Sequence, residues 1–186
     1  MLDTLLQYDT ELLIFLNNLG SSFWDPFWMF ITNQLNWTPV FLFIFYLLIK
    51  NFGWKKGLLL VVSIAVLVAF SDQFVNLIKE SIARIRPNND PDLAGKIRAL
   101  LQPQSKSFVS GHATTSMFFT TFIILLLKEK VKHIYFIIFF PLIFGYSRIY
   151  LGVHFPLDIC CGYFLGISLG VLYARFVKIG LNRFFI

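Results

Sequence analysis

Apolar and polar positions fall in long blocks along the chain. Five mainly apolar stretches, 25–49, 57–78, 113–127, 134–151 and 155–177, are separated by short polar or basic connections. A helix needs about 20 residues to cross a bilayer's hydrocarbon core. Each stretch is therefore expected to be a membrane helix, the third and fourth only if their polar ends are helical too; four crossings is the competing count. The first stretch is most apolar from Pro39 onward, and the fourth contains Pro141 and Gly145. Ahead of them, residues 2–20 set Leu5, Leu6, Leu12, Leu13 and Leu16 against Asp9, Glu11, Asn17 and Asn18 at helical spacing, and stop at Gly20. That segment is too polar to span, so residues 1–22 are expected to form an amphipathic helix lying at the interface. Trp24, Trp28 and Trp37 stand where aromatic rings favour the headgroup level. The expected fold class is an all-α integral membrane protein, with about five transmembrane helices and one interfacial helix in a single domain over 1–186.

Composition agrees with the pattern. Hydrophobic residues make up 57% of the 186 and charged residues 14%, against about 25% charged in a soluble globule. The net charge of +6 would suit nucleic acid only if the cations shared a surface, and they do not. Lys50, Lys55 and Lys56 lie between two apolar stretches, Lys128, Lys130 and Lys132 between two others, and Arg175, Lys178 and Arg183 near the end. Basic clusters at alternate ends of spans orient a membrane protein with those ends in the cytoplasm. No Lys or Arg precedes Lys50, which puts the N-terminus outside and the C-terminus in the cytoplasm. The partner expected is the bilayer, not nucleic acid. Cys160 and Cys161 are adjacent in an apolar stretch, without metal-ligand spacing, and read as apolar fillers.

The longest polar stretch, 79–107, lies outside under this topology yet is basic, with Lys79, Arg84, Arg86, Lys96, Arg98 and Lys106. That breaks the bias of the other loops and suggests that the charge serves an anion. Three clusters flank it, all at one membrane face. Lys79 and Arg86 are seven residues apart, two helical turns, so both are expected on one helix face ending at Pro87, with Arg84 pointing elsewhere. They read either as snorkelling cations or as a phosphate clamp. Ser110-Gly111-His112 opens the third apolar stretch. It reads either as an ordinary N-cap with a wet histidine or as an anion site at a helix N-terminus. Ser147-Arg148, His154 and Asp158 form the third cluster. Pro156 is suited to start the last helix, from whose first turn Asp158 can reach back to the His154 ring, either as a satisfied pair or in the role of a triad acid. Jointly the clusters describe a phosphoryl-transfer site without a metal or other cofactor. Asp72, seven residues before Lys79, stands outside them. It is expected to support Lys79, to line a lipid path, or to bond Gln73 or Asn76.

These residues resemble the signature of the type-2 phosphatidic acid phosphatase superfamily: K-x6-R-P in Lys79 to Arg86-Pro87, P-S-G-H in Val109-Ser110-Gly111-His112, and S-R-x5-H-x3-D in Ser147-Arg148, His154 and Asp158. Val109 replaces the usual proline. The motifs cover 79–158, the expected catalytic region. The resemblance implies that His154 attacks phosphorus to form a phosphohistidine, that Asp158 orients it, and that His112 protonates the leaving oxygen and later activates water. It implies that Lys79, Arg86, Ser110, Gly111 and Arg148 bind the phosphoryl oxygens, with no metal. The expected substrate is a lipid phosphate at the outer face of a bacterial inner membrane: undecaprenyl pyrophosphate, phosphatidylglycerophosphate, phosphatidic acid or a lipid A phosphate. A soluble ester such as a sugar phosphate is the alternative within the class. Vanadium-dependent haloperoxidases share the motifs but are soluble. An anion channel or transporter would need polar residues through the full depth of the spans.

Overall fold

A computed structural model describes residues 1–184, and those residues are helical without strands. Helix α1 (Leu2–Asn18) is followed by α2 (Asp25–Thr32) and then a 3₁₀ turn, Gln34–Trp37. The expected single helix from residue 25 is thus broken at Asn33. Its extended backbone (φ −81, ψ 116) and its side chain, which accepts from Leu35 N at 3.0 Å, draw the chain out of the helix.

Helix α3 (Thr38–Ile82) runs through two expected spans but reverses at Gly53, where φ is 77 and ψ 166. Only glycine takes such a conformation without strain. The turn is tight: a β-carbon placed on Gly57 would lie 2.7 Å from Ile49 Cα. Two antiparallel arms, 38–52 and 54–82, result, and Ile44, Leu47 and Leu48 of one share a core with Leu60, Ile64 and Leu67 of the other.

Helix α4 (Gly111–Leu127) and helix α6 (Pro156–Phe184) form the closest pair. Gly162, Gly166 and Gly170 recur every four residues along α6. A β-carbon on Gly166 would stand 2.5 Å from Thr114 O, and one on Gly170 2.6 Å from Thr121 Cβ. Small residues at this spacing let two backbones meet where side chains would hold them apart. A 3₁₀ turn (Ile134–Ile138) and α5 (Phe139–Tyr150) complete the bundle. Gln34–Ile82 and Pro156–Arg183 are long and apolar enough to cross a membrane, while Gly111–Leu127 and Ile134–Tyr150 are apolar but shorter.

Helix α1 is amphipathic as expected, and part of its polar face packs inward. Asp9, Leu13 and Asn17, one turn apart, are its buried stripe, while Leu2, Leu5, Leu6, Tyr8, Leu12 and Phe15 are exposed. The polar groups can turn inward because each is satisfied there. The Asn17 amide donates to the carbonyls of Arg98, Ile149 and Tyr150 at 2.8–3.2 Å and accepts from Arg98 N at 2.7 Å. This ties α1 to the 83–110 connection and to α5.

Candidate active site

The three motif clusters converge at one end of the bundle, although not as helical spacing alone implied. Helix α3 ends at Ile82, capped by Ala83 in the left-handed conformation with its N–H on Lys79 O. Arg86 is therefore in extended backbone before Pro87 (φ −78, ψ 151), off the helix that carries Lys79. The expectation of one shared helix face fails, and the turn at Ala83 brings the two cations together instead. Both line one cavity with Gly111, His112 and Arg148.

His154 is 1% exposed, in the short connection between α5 and α6. Pro156 starts α6, and Asp158, fully buried in its first turn, lies with Oδ2 3.2 Å from His154 Nδ1. The same carboxylate accepts from Phe155 N at 3.0 Å, from the Ser107 hydroxyl, and from Arg84 Nη1 at 2.7 Å. An ionised carboxylate only accepts, so Nδ1 carries the proton and the Nε2 lone pair is directed away from Asp158. Arg86 Nη1 is 2.9 Å from that Nε2 and donates equally to Val153 O at 2.9 Å. Its other nitrogens hold Ser105 O at 2.6 Å and Ser105 Oγ at 2.9 Å. Burial pushes the His154 imidazole down to about 3; the Asp158 hydrogen bond opposes this and the charge of Arg86 adds to it. The ring is neutral, and its Nε2 lone pair accepts from Arg86. Burial also lowers Arg86 from its usual range, with Asp158 pulling the other way.

Ser110 caps α4, its Oγ accepting from Ala113 N at 3.4 Å, while its own N–H donates to Asp158 O at 3.1 Å. The N-terminus of α4, a favourable place for an anion, is thereby locked to α6. His112 is the second residue of α4, its ring 5.0 Å from Phe144. Arg148, 6% exposed, donates from Nη1 to Thr32 Oγ1 at 2.5 Å, and its buried Nε is without a partner among the described residues. Lys79 is 8% exposed, and its ammonium makes no hydrogen bond or ion pair among the described residues. Lys79, Arg148 and Gly111 at the α4 N-terminus line one cavity, a set of donors of the kind that suits an anion with several oxygens.

The cavity holds about 1070 Å³ and runs from these cations between the two arms of α3 to Phe45 and Ile64. Its floor includes Phe41, Leu42, Phe119 and Phe140, and Asp72 lies in its wall. His154 sits behind Arg86 rather than in the lining. Among the described residues no three His, Cys, Asp or Glu side chains converge as metal ligands, and both cysteines are free thiols.

Residues outside the motifs complete the site. Arg84, expected to point away, has left the helix at Ala83, lies 3.8 Å above the Phe155 ring and bonds Asp158. Its Nη2 reaches Asp9 at 2.7 Å, and Asp9 in turn accepts from Leu157 N at 2.7 Å. Asp9, on the buried stripe of α1, offered a signal only in its spacing with Leu13 and Asn17. Ser107 and Thr32 offered none.

Residues 56–179 match the PAP2 superfamily. A lipid A 4'-phosphatase of Bacteroides thetaiotaomicron is 34% identical over 170 residues, 89% of this chain and 75% of the relative. Another from Porphyromonas gingivalis is 28% identical over 184 residues, 94% of this chain and 77% of the relative. The crystal structure of a transmembrane PAP2 type phosphatidylglycerolphosphate phosphatase from Bacillus subtilis superposes with a TM-score of 0.74 at 23% identity, covering 97% of this chain and 89% of that one.

Proposed function

The chain belongs to the PAP2 superfamily and is a phosphatase of that family, and on this premise we propose that it hydrolyses a lipid phosphate through a phosphohistidine on His154. The observation that carries the proposal is the His154 ring, oriented by Asp158 on one nitrogen and held by Arg86 on the other, beside a cavity whose cations lead into an apolar floor.

In the reading we propose, the phosphoryl group enters among Lys79, Arg148, Ser110 and Gly111. Arg86 exchanges its bond to His154 for a phosphoryl oxygen and so frees Nε2. The lone pair attacks phosphorus as the bond to the leaving oxygen breaks, and His112 supplies that oxygen's proton. The carboxylate of Asp158 stabilises the charge acquired by His154. Water, deprotonated by His112, then attacks the phosphohistidine and releases phosphate. The cations serve chiefly to stabilise the charge of the transition state. No metal or other cofactor has a part in these steps.

The cavity supports a lipid reading over a soluble ester, because an apolar floor of Phe41, Leu42 and Phe45 would have nothing to bury against a sugar phosphate. Among lipids, the two lipid A 4'-phosphatase relatives favour a lipid A phosphate. Phosphatidylglycerophosphate, phosphatidic acid and undecaprenyl pyrophosphate are the alternatives. The chain is read as one domain with five crossings: two from the arms of α3, then α4, the Ile134–Tyr150 stretch and α6, with α1 at the interface. The basic clusters at 50–56 and 128–132 then face the cytoplasm, and the site opens on the outer face of a bacterial inner membrane.

The test is phosphate release from lipid A, phosphatidylglycerophosphate and undecaprenyl pyrophosphate by purified protein in detergent with EDTA. The wild type is expected to release phosphate from at least one, and His154→Ala from none. Equal release by both would exclude His154 as nucleophile. Loss of wild-type activity to EDTA alone would exclude the metal-free mechanism.

A further inference from the structure

Asp72 lies in the wall of the cavity, on the second arm of α3. It is seven residues from Lys79, and at 1.5 Å per residue that places it about 10 Å deeper. An ionisable group inside a membrane segment is costly and normally has a partner or a function. Among the described residues the one hydrogen bond to Asp72 is from Asn76 Nδ2, at 3.5 Å, the limit of such a bond. Gln34 and Thr38, from the start of the opposing arm, line the same cavity. The cavity is thus not uniformly apolar below its cations: it has a polar band and only then an apolar floor.

We propose that this band is a recognition subsite for the part of the substrate between phosphate and acyl chains. The inference rests on the phosphatase reading above. An ionised carboxylate can only accept hydrogen bonds, so the ligand must bring O–H or N–H donors to Asp72, with Asn76 and Gln34 able to meet its carbonyls. A lipid carrying a sugar or hydroxylated linker with amide N–H groups fits: its phosphate reaches the cations, its donors reach the band, and its chains reach the floor. A polyprenyl phosphate does not, because its hydrocarbon begins at the phosphate and would be pressed against the Asp72 carboxylate with no donor to offer it, an unfavourable burial.

The test compares two substrates in mixed micelles: a lipid A phosphate, with hydroxyl and amide donors, and undecaprenyl phosphate, with none. The readout is the ratio of their kcat/KM values for wild type, Asp72→Asn and Asp72→Ala. Loss of a hydrogen bond to a charged group is expected to lower the ratio in favour of lipid A by about tenfold or more in Asp72→Ala, and less in Asp72→Asn, which can still accept. An unchanged ratio, including one in which both rates fall together as a folding defect would make them fall, overturns the subsite. Phosphate release from neither substrate by the wild type would overturn this inference, and would overturn the phosphatase reading with it only where phosphatidylglycerophosphate, phosphatidic acid and undecaprenyl pyrophosphate also release none. Release from both, with the ratio unmoved, overturns the subsite alone.

Discussion

Arg84 Nη1 donates to Asp158 at 2.7 Å, so the carboxylate that faces His154 is itself held from behind by a guanidinium. The other end of that guanidinium is on Asp9, 2.7 Å away and nearly buried. Helix α1 thus carries one anchor of the Asp158 carboxylate.

Substituting Asp9 tests this chain of contacts. Removing Asp9 leaves Arg84 on Asp158 alone and Leu157 N without its acceptor, and Asp9→Ala is expected to cost about 1–3 kcal/mol in unfolding stability. Because Arg84 then keeps Asp158 but loses the second contact that fixes its angle against that carboxylate, kcat should fall while KM moves little. Arg84→Lys should not restore kcat, since a point charge cannot bridge two carboxylates as a fork does. Steady-state kinetics with thermal unfolding in detergent measures both. A change in KM alone would contradict the positioning role.

The protonation of His154 supplies a second test. Its pKa is pushed down to about 3 by burial, from 6.5, so the folded state resists a proton that the unfolded chain accepts. The ring therefore contributes stability above pH 6.5 that is lost as the pH falls toward 3. In nitrogen-15 spectra of histidine-labelled protein, His154 should remain neutral, protonated on Nδ1, between about pH 8 and about pH 5. Titration near an ordinary histidine value would contradict the buried site.

The glycine stripe of α6 makes a third. Valine at Gly166 would drive its β-carbon into Thr114 O, 2.5 Å away. Gly166→Val is expected to destabilise by about 1–3 kcal/mol through overpacking, and to weaken activity because α4 carries Ser110 and His112. A variant as stable as the wild type would show that α4 and α6 do not meet along that stripe.

Much of the site was legible in the chain because its chemistry lies in short spacings. Lys79, Arg86, Ser110, His112, Arg148, His154 and Asp158 announce themselves by charge in apolar surroundings and by a proline or serine that places a helix end. What was not legible depends on where the chain leaves the helix. Ala83 turns left-handed with no glycine to mark it, and so Arg84 reaches Asp158 while Arg86 leaves the face of Lys79. The polar positions of α1 were legible, but not what they pack against. Asp9 and Asn17 are buried on partners up to 148 residues away in sequence, beyond any local pattern. Two signals were present in the sequence: Gly53 between two apolar runs, which reverses α3, and Gly162, Gly166 and Gly170 at a four-residue period, which seat α6 on α4.

The most direct test of His154 as nucleophile is to trap the phosphorylated enzyme. Reacting a His112→Asn variant with a reactive lipid phosphate should let phosphoryl transfer occur while slowing hydrolysis of the intermediate. Quenching in alkali and peptide mass spectrometry should then find one phosphoryl group on His154, labile to acid and absent from His112→Asn/His154→Ala. Phosphate on another residue, or turnover that continues in His154→Ala, would contradict it.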